Sequence, residues 1–366
     1  MSKQILCVNA AGVGDLHGVR MRALSAPLKQ IANLSLFDVD KSNRRGSARE
    51  LWSLIESRRW DLIYQESTGI AAGLPLLRAA VTRGQRYVVS SGDPISGFFR
   101  VTRGALVAAP FALYERALYR RAAGFIGWTP YLAGRALELG APRAVTVEGA
   151  VDLDVFKQYA PAERVGARDR FGLRHDHLVL GMVGSITWVE RQKYCYGLDL
   201  VETIKHLRRT DVSLLIVGDG DGLPRLRALV PPDLQSRVVF TGRLPYADVV
   251  TAMNAMDIGF ITQTLDQLGS YRLTTKMPEY LACGLPIAMS PTPGFFDYVG
   301  AAGWALPSAH PAAPEFHIAC AKWLDSLSSD EVKTRAQGCR AIAADRFSYD
   351  SIGSKFAQFV EHILAA

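Results

Sequence analysis

Chemistry in this chain of 366 residues would come from a few charged side chains set beside glycine-containing turns. The run Lys276-Met277-Pro278-Glu279-Tyr280-Leu281-Ala282-Cys283-Gly284-Leu285-Pro286-Ile287-Ala288 reads as a short helix carrying one acid, Glu279, and closed by Gly284. A glycine suits a left-handed helix cap, and a proline soon after it keeps the helix from continuing. The apolar residues beyond then form a buried strand. Near the start, Asn9-Ala10-Ala11-Gly12-Val13-Gly14-Asp15-Leu16-His17-Gly18 joins an apolar run to a helical pattern. Glycines there let backbone N–H groups approach a phosphate, and a helix N-terminus favours negative charge. Gly12, Gly14 and Gly18 miss the dinucleotide-binding spacing by one residue. No clear ribose-binding acid follows about twenty residues on, so that reading is the weaker one. Asp93 and Glu66 end two apolar runs, and Asp93 could either orient a hydroxyl or cap the turn before Pro94.

These residues need elements to hold them. Short apolar runs at 5–9, 35–39, 62–65, 87–90, 124–127 and 144–147 alternate with helical stretches such as 47–57, 111–122 and 130–139. The scheme repeats with runs at 179–183, 213–217, 238–240, 258–261, 286–289 and 304–306. Strand–helix alternation implies parallel sheets covered on both faces. Two such sets in succession imply an α/β protein of two doubly wound domains that bind ligands at the carboxyl ends of their strands. The length also fits about two domains. The apolar run Ala105 to Leu113 contains Pro110 and is too short to span a bilayer. The N-terminal residues lack a signal-peptide pattern. Five cysteines, at 7, 195, 283, 320 and 339, are scattered without CxxC spacing. That argues against a disulfide framework or a zinc site and fits a reducing cytoplasm.

In series, several segments resemble the retaining family 4 glycosyltransferases, whose GT-B fold sets two Rossmann-like domains across a cleft. They are the first glycine loop, Gly181-Met182-Val183-Gly184-Ser185, Leu215-Ile216-Val217-Gly218-Asp219-Gly220, Phe240-Thr241-Gly242-Arg243-Leu244-Pro245, and the helix–Gly-Leu-Pro–strand run. The resemblance implies an acceptor-binding domain over 1–155, a nucleotide-sugar domain over 156–347, and a final helix over 348–366 that crosses back to the first domain. Ser348 would cap that helix. The resemblance places Gly14 and Gly184 by the donor diphosphate, Gly242 and Leu244 by the nucleobase, and Glu279 on the nucleotide ribose. Thr274 and Thr275 would offer backbone N–H groups to the sugar and diphosphate. Lys276 and Tyr280 match a branch that carries Lys three residues before that acid and Tyr just after it.

The chain departs from the family pattern at four positions. The family's first acid, eight residues before Glu279, is Tyr271, and the His of its His-Asp pair is Gly92, which leaves Asp93. The usual Arg and Lys on the diphosphate are Ser185 and Tyr196, so Arg191 and Lys193 in the intervening loop become the candidate cations. The implied reaction moves a sugar from a nucleoside diphosphate donor, UDP or GDP favoured, to a hydroxyl with retention and without a metal or other cofactor. A catalytically silent nucleotide-sugar-binding subunit and a sugar-nucleotide epimerase are the alternatives.

Charge adds an expectation about partners. Residues 1–150 hold 20 Lys and Arg against 11 Asp and Glu, a net of +9, whereas residues 151–366 hold 22 against 24, a net of −2. Such asymmetry suits an anionic or lipid-linked acceptor, or peripheral contact with the inner face of an anionic membrane. The segments 98–103 and 114–121, which mix aromatics with arginines, are the expected contact. No motif for nucleic acid stands out.

Overall fold

Leu6, Cys7 and Val8 have no exposed surface, and central strands such as Leu62–Glu66 and Val212–Val217 are buried throughout, because helices cover both faces of the sheets there. In this computed structural model, which describes residues 2–365, the chain divides into two units. The first comprises the chain to Ala150, Tyr271–Leu273 and the segment from Phe347 onward; the second comprises Val151–Ser270 and Thr274–Arg346.

The first unit holds strands β1 (Lys3–Asn9), β2 (Ala32–Asp38), β3 (Leu62–Glu66), β4 (Tyr87–Ser91), β5 (Gly124–Gly127) and β6 (Ala144–Thr146). They form one parallel sheet in the order β2-β1-β3-β4-β5-β6. Its helices are α1 (Leu16–Ser25), α2 (Arg44–Ser57), α3 (Ile70–Arg83), α4 (Ile95–Arg103), α5 (Ala105–Arg121) and α6 (Pro130–Glu138). The second unit holds β7 (Leu178–Val183), β8 (Val212–Val217), β9 (Val238–Gly242), β10 (Ile258–Ile261), β11 (Ile287–Met289) and β12 (Gly303–Ala305) in the order β12-β11-β10-β7-β8-β9, again parallel. Around it lie α7 (Pro161–Arg170), α8 (Leu198–Thr203), α9 (Leu223–Leu229), α10 (Tyr246–Ala255), α11 (Lys276–Ala282), α12 (Pro314–Ser326), α13 (Ser329–Ala336) and α14 (Cys339–Phe347). Strand order reverses between β1 and β3 in one sheet and between β7 and β10 in the other. In doubly wound sheets ligands enter beside such reversals, at the carboxyl ends.

The expected strands are all present, and the helix boundaries show what local chemistry adds. Helix α2 starts at Arg44, three residues before the expected start, because the Asn43 side chain accepts from Gly46 N–H at 3.0 Å. Helix α5 starts at Ala105, six residues early, and keeps Pro110 inside. The carbonyl that Pro110 leaves without a donor belongs to Leu106, which is 92% exposed and open to water.

The final helix, α15 (Tyr349–Ala365), is capped by Ser348, whose Oγ accepts from Ser351 N–H at 3.2 Å. Ile352, Phe356, Val360 and Ile363, spaced at helical intervals, have no exposed surface and pack with Ile5, Cys7, Met21 and Tyr64. This helix thus completes the core of the first unit, as the GT-B resemblance implied. Glu148, just beyond β6, meets Lys355 of α15 at 3.2 Å. Among the described residues no helix is long and apolar enough to cross a membrane.

Candidate functional site

In the second unit the candidate donor residues gather at the carboxyl ends of β7, β8, β9 and β10. Glycines make the close approach between turns feasible. A Cβ on Gly218, whose φ is +143°, would lie 1.8 Å from the Gly184 carbonyl oxygen, so only glycine lets the β7 and β8 turns touch. Gly184 N–H donates to Val217 O at 3.0 Å, and Gly218 N–H to Gly242 O at 3.0 Å, which ties three strand ends together. Gly242 itself has φ +69°, and Leu244, two residues on, is half-buried.

Helix α11 lies alongside. Gly284 caps it with φ +71°, as the sequence suggested. Tyr280 has no exposed surface, and its hydroxyl accepts from Val183 N–H at 2.9 Å, anchoring the helix under the end of β7. Glu279, one residue earlier, is 4% exposed and ion-paired with Lys276. Burial pushes its carboxyl above the usual range, and the Lys276 charge opposes that shift. No partner is seen among the described residues for the backbone N–H of Thr274 or Thr275, which precede the helix.

The loop from Ser185 to Tyr196 is built as a hairpin, with Val189 and Tyr194 paired antiparallel. Tyr194 is its root: the hydroxyl donates to Asp199 at 3.0 Å and lies 2.6 Å from Thr262 Oγ1. Burial raises the Asp199 carboxyl to about 6. Gln192 ties the tip to Thr264 and Asp266, at 3.2 and 3.1 Å. The two candidate cations differ. Lys193, at φ +50°, is ion-paired with Glu190, whereas Arg191 is exposed and has no ion-pair partner among the described residues.

The first unit presents a different picture. In the first glycine loop, Asn9 Oδ1 accepts from the N–H groups of Ala11 and Gly12, at 3.1 and 3.3 Å. Val13 N–H donates to Val39 O and Asp15 N–H to Gly12 O. Asp15 then caps α1 with an acid. The loop therefore turns these donors inward, and no partner is seen among the described residues for the N–H of Gly14, at φ +75°, or of Leu16 at the start of α1. Asp93 sits 3.1 Å from Arg272, and Thr129 Oγ1 donates to Tyr271 O at 2.9 Å. Tyr271 accordingly groups with Thr129, Arg135 and Asp93 in the first unit, whereas Thr274, Thr275 and Glu279 belong to the second.

The sequence reading named Glu66 but not the partners that gather round it. Glu66 is fully buried at the end of β3, where its carboxylate accepts from Tyr64 Oη, from Arg20 Nη1 at 3.0 Å, and pairs with His17 Nδ1 at 3.2 Å. Burial alone would raise its pKa, but Arg20, His17 and Tyr64 outweigh that and hold it at about 2. The His17 pKa is raised in turn; burial opposes the rise and Glu66 drives it. The imidazole packs on Trp128, ring centroids 5.1 Å apart. That indole also occupies the room of the absent histidine, since a Cβ on Gly92 would lie 2.8 Å from it. The signal for His17 was its place in the glycine loop, but its partner is 49 residues away and becomes a neighbour only because β1 pairs with β3.

Among the described residues no group of three or more His, Cys, Asp or Glu could hold a metal ion. Comparisons with known proteins give the class. Residues 177–325 match the glycosyl transferases group 1, and residues 5–148 match the glycosyl transferase 4-like domain. The chain is 28% identical over 321 residues to the 2-deoxystreptamine glucosyltransferase of Streptomyces kanamyceticus, covering 81% of this chain and 78% of that one. It is 27% identical over 308 residues to the 2-deoxystreptamine N-acetyl-D-glucosaminyltransferase of Streptomyces fradiae, covering 78% and 68%. In structure it is similar to Anabaena HepE, crystallised with UDP and glucose, with a TM-score of 0.77, 16% identity, and coverage of 98% of this chain and 100% of that one. The two matched segments span both units, and the chain belongs to the group 1 glycosyl transferases of GT-B fold.

Proposed function

We propose that this enzyme transfers a sugar from a nucleoside diphosphate donor, UDP or GDP, to a hydroxyl acceptor with retention at the anomeric carbon, and without a metal. The observation that carries the proposal is Glu279, a buried carboxylate with Lys276 beside it on a helix fixed under the end of β7. A carboxylate so placed can accept hydrogen bonds from two ribose hydroxyls. The N–H groups of Thr274 and Thr275, with Arg191 and Lys276, would hold the diphosphate and stabilise charge on it as the sugar C1–O bond breaks. The acceptor oxygen attacks the same face, and its proton passes to the departing phosphate oxygen, so no protein nucleophile is needed. Lys193, whose exposed ammonium meets Glu190 within the hairpin and, among the described residues, no other group of the candidate site, is the weaker candidate for the diphosphate. The first unit is assigned the acceptor, with Asp93 and the His17–Glu66 pair as groups that orient a hydroxyl. Five buried, unpaired cysteines suit the proposed cytoplasmic setting.

The test is a thermal-shift screen with UDP, GDP and their sugars, followed by donor turnover with and without acceptor. A competent donor raises the unfolding midpoint by mass action. UDP has support from the HepE complex, and 2-deoxystreptamine, named for the two Streptomyces relatives, is the first acceptor to try. Donor turnover unaffected by chelator, with an α-linked product from an α-linked donor, is the expected result. Binding without turnover for every pair would mark a catalytically silent subunit, and an inverted product would overturn retention.

A further inference from the structure

We infer that the side-chain amide of Gln263, with the hydroxyl of Thr292 as a second contact, reads the sugar of the donor and sets which sugar the second unit accepts. The inference rests on the reading that the second unit takes a nucleotide-sugar. Gln263 stands two residues past β10 and is 4% exposed, yet neither its Nε2 nor its Oε1 has a hydrogen-bond partner. Thr292, three residues past β11, is 1% exposed, and its Oγ1 is equally unpartnered. A buried polar atom without a partner has lost its water and gained nothing in return, so such groups are rare and call for a reason. The buried amide of Asn254 shows the ordinary case. Its Nδ2 donates to Lys157 O and Val250 O at 3.0 and 2.9 Å, and its Oδ1 accepts from Tyr159 N–H at 2.8 Å. Among the described residues, Gln263 is the amide side chain with both polar atoms buried and open.

The backbone around these side chains is firmly held. Gln263 N–H donates to Ser290 Oγ at 2.8 Å and Ser290 N–H to Ile261 O at 3.1 Å, which joins the carboxyl ends of β10 and β11. Thr292 N–H donates to Ser290 O at 2.6 Å, so both open side chains extend from one fixed junction. The same junction holds the hairpin that carries Arg191. Thr262 Oγ1, one residue before Gln263, lies 2.6 Å from the Tyr194 hydroxyl at the hairpin root. Thr264 Oγ1, one residue after, accepts from Gln192 Nε2 at 3.2 Å at the tip. Alternation along β10 separates its two faces. Phe260 and Thr262 lie on the face of Tyr194, whereas a Cβ on Gly259 would lie 2.6 Å from the Tyr280 ring of α11. Gln263 continues the Gly259 face, on the side of the helix that bears Lys276 and Glu279. A donor's sugar is bonded to its β-phosphate, so a group that reads the sugar must stand next to those that hold the diphosphate. In the proposed function those are Arg191 and Lys276.

The chemistry of the amide narrows what it reads. It donates through Nε2 and accepts through Oε1 in one plane. Its complement on a pyranose is a pair of adjoining groups of which one accepts and the other donates. Two vicinal hydroxyls supply that pair, and so do the N–H and C=O of an acetamido group. Thr292 Oγ1 adds a further donor and acceptor. A site built to bond such groups rejects a sugar that presents them wrongly, because the buried amide then stays unpaired. The two Streptomyces relatives are named for different sugars, glucose and N-acetylglucosamine, so donor choice differs among proteins similar to this chain.

The test compares the full chain with two variants. Gln263→Met keeps the length of the side chain and removes both polar atoms, and Thr292→Val replaces the hydroxyl by a methyl. Without ligand, the unfolding midpoint of each variant should equal or exceed that of the wild type, because an open buried polar group is removed. A lowered midpoint would mean that buried water or the protein satisfies the group, and it overturns the inference. Calorimetry then measures UDP, UDP-glucose, UDP-galactose and UDP-N-acetylglucosamine, with GDP, GDP-glucose and GDP-mannose alongside. The wild type should bind one sugar nucleotide more tightly than the others. Gln263→Met should weaken that one about 30-fold, the loss of two hydrogen bonds of ordinary strength, and bind the sugars alike. Thr292→Val should weaken it about fivefold, the loss of one. UDP and GDP should bind both variants as they bind the wild type. A preferred N-acetylglucosamine assigns the amide to the acetamido group and a preferred hexose to vicinal hydroxyls; both support the inference. Equal affinity of the wild type for all sugars, a preference kept in Gln263→Met, or UDP weakened as much as its sugar overturns it. If a nucleotide binds and the variant keeps the preference, only this inference fails; if no nucleotide binds the wild type, the proposed function falls as well.

Discussion

At the residue scale, two carboxylates illustrate how partners decide what burial does. Glu279 and Glu66 are both buried, but Glu279 faces one lysine and its pKa rises, whereas Glu66 faces an arginine, a histidine and a tyrosine and its pKa falls to about 2. Glu279→Gln should leave circular dichroism intact and weaken nucleotide-sugar binding by about 1.5–3 kcal/mol, the worth of a hydrogen bond to a charged group, read by calorimetry. Glu66 should instead govern stability. Its carboxylate contribution is complete above the ordinary value of 4.5 and is lost as pH falls through about 2. That of His17 is complete below 6.5 and is lost as pH rises through its raised value. The pair should stabilise the first unit most between pH 4.5 and 6.5. Glu66→Ala strands Arg20 in the interior and should cost about 3–5 kcal/mol in denaturant titrations. A variant that loses nothing at pH 6 would show that Arg20 finds its compensation elsewhere, for instance in the carbonyls of Val147 and Glu148 that it already contacts at 2.6 and 3.0 Å.

At the scale of elements, the hairpin between β7 and α8 stands where the family's two diphosphate-binding residues are replaced. Its root is fixed by Tyr194, Asp199 and Thr262 and its tip by Gln192, so Arg191 is presented on a braced support. Arg191→Ala should lower turnover by roughly 10²–10³-fold, as for other preorganised charge stabilisers, while Lys193→Ala should have a smaller effect. Steady-state kinetics on the two variants, with the unfolding midpoint as a folding control, distinguish them. Equal effects would return the cation role to both. The neighbouring turn gives a purely steric prediction. Gly218→Ala places a methyl against the Gly184 carbonyl at a φ of +143°, and such strain costs on the order of 1–3 kcal/mol. Both the midpoint and nucleotide affinity should fall, since that turn sets the position of Gly184.

At the scale of the whole chain, α15 makes the first unit discontinuous in sequence. Residues 349–365 supply four fully buried apolar side chains to a core begun by residues 5–88. Phe356→Ala should cost about 3–5 kcal/mol, the range for emptying a buried aromatic position. A chain ending at Arg346 should lose the first unit's cooperative transition in calorimetry and keep that of the second. An unchanged pair of transitions would show that the first core closes without its last helix. The basic excess also belongs to this scale, for it is spread over several helices and shapes the field around half of the chain.

Periodicity and turn residues alone located β1 to β12, because a strand covered on both faces must be continuously apolar and glycine or proline must end it. The Gly284 cap, the Ser348 cap and the Lys276–Glu279 spacing were equally local, since each depends on residues within one or two helical turns. Partners distant in the chain were not legible. His17 meets Glu66 because β1 lies beside β3, and Tyr271 meets Thr129 because a three-residue segment is gathered into the first unit. The inward-facing donors of the first glycine loop followed from the side-chain orientation of Asn9, which spacing does not encode. The sequence by itself determined which residues form strands, helices and caps, for these follow from short-range sterics and burial. Only the tertiary structure decided which charges are compensated and which remain free, as with Lys193 beside Glu190 and Arg191 unpaired among the described residues, because Coulomb attraction and desolvation depend on distance in space and not along the chain.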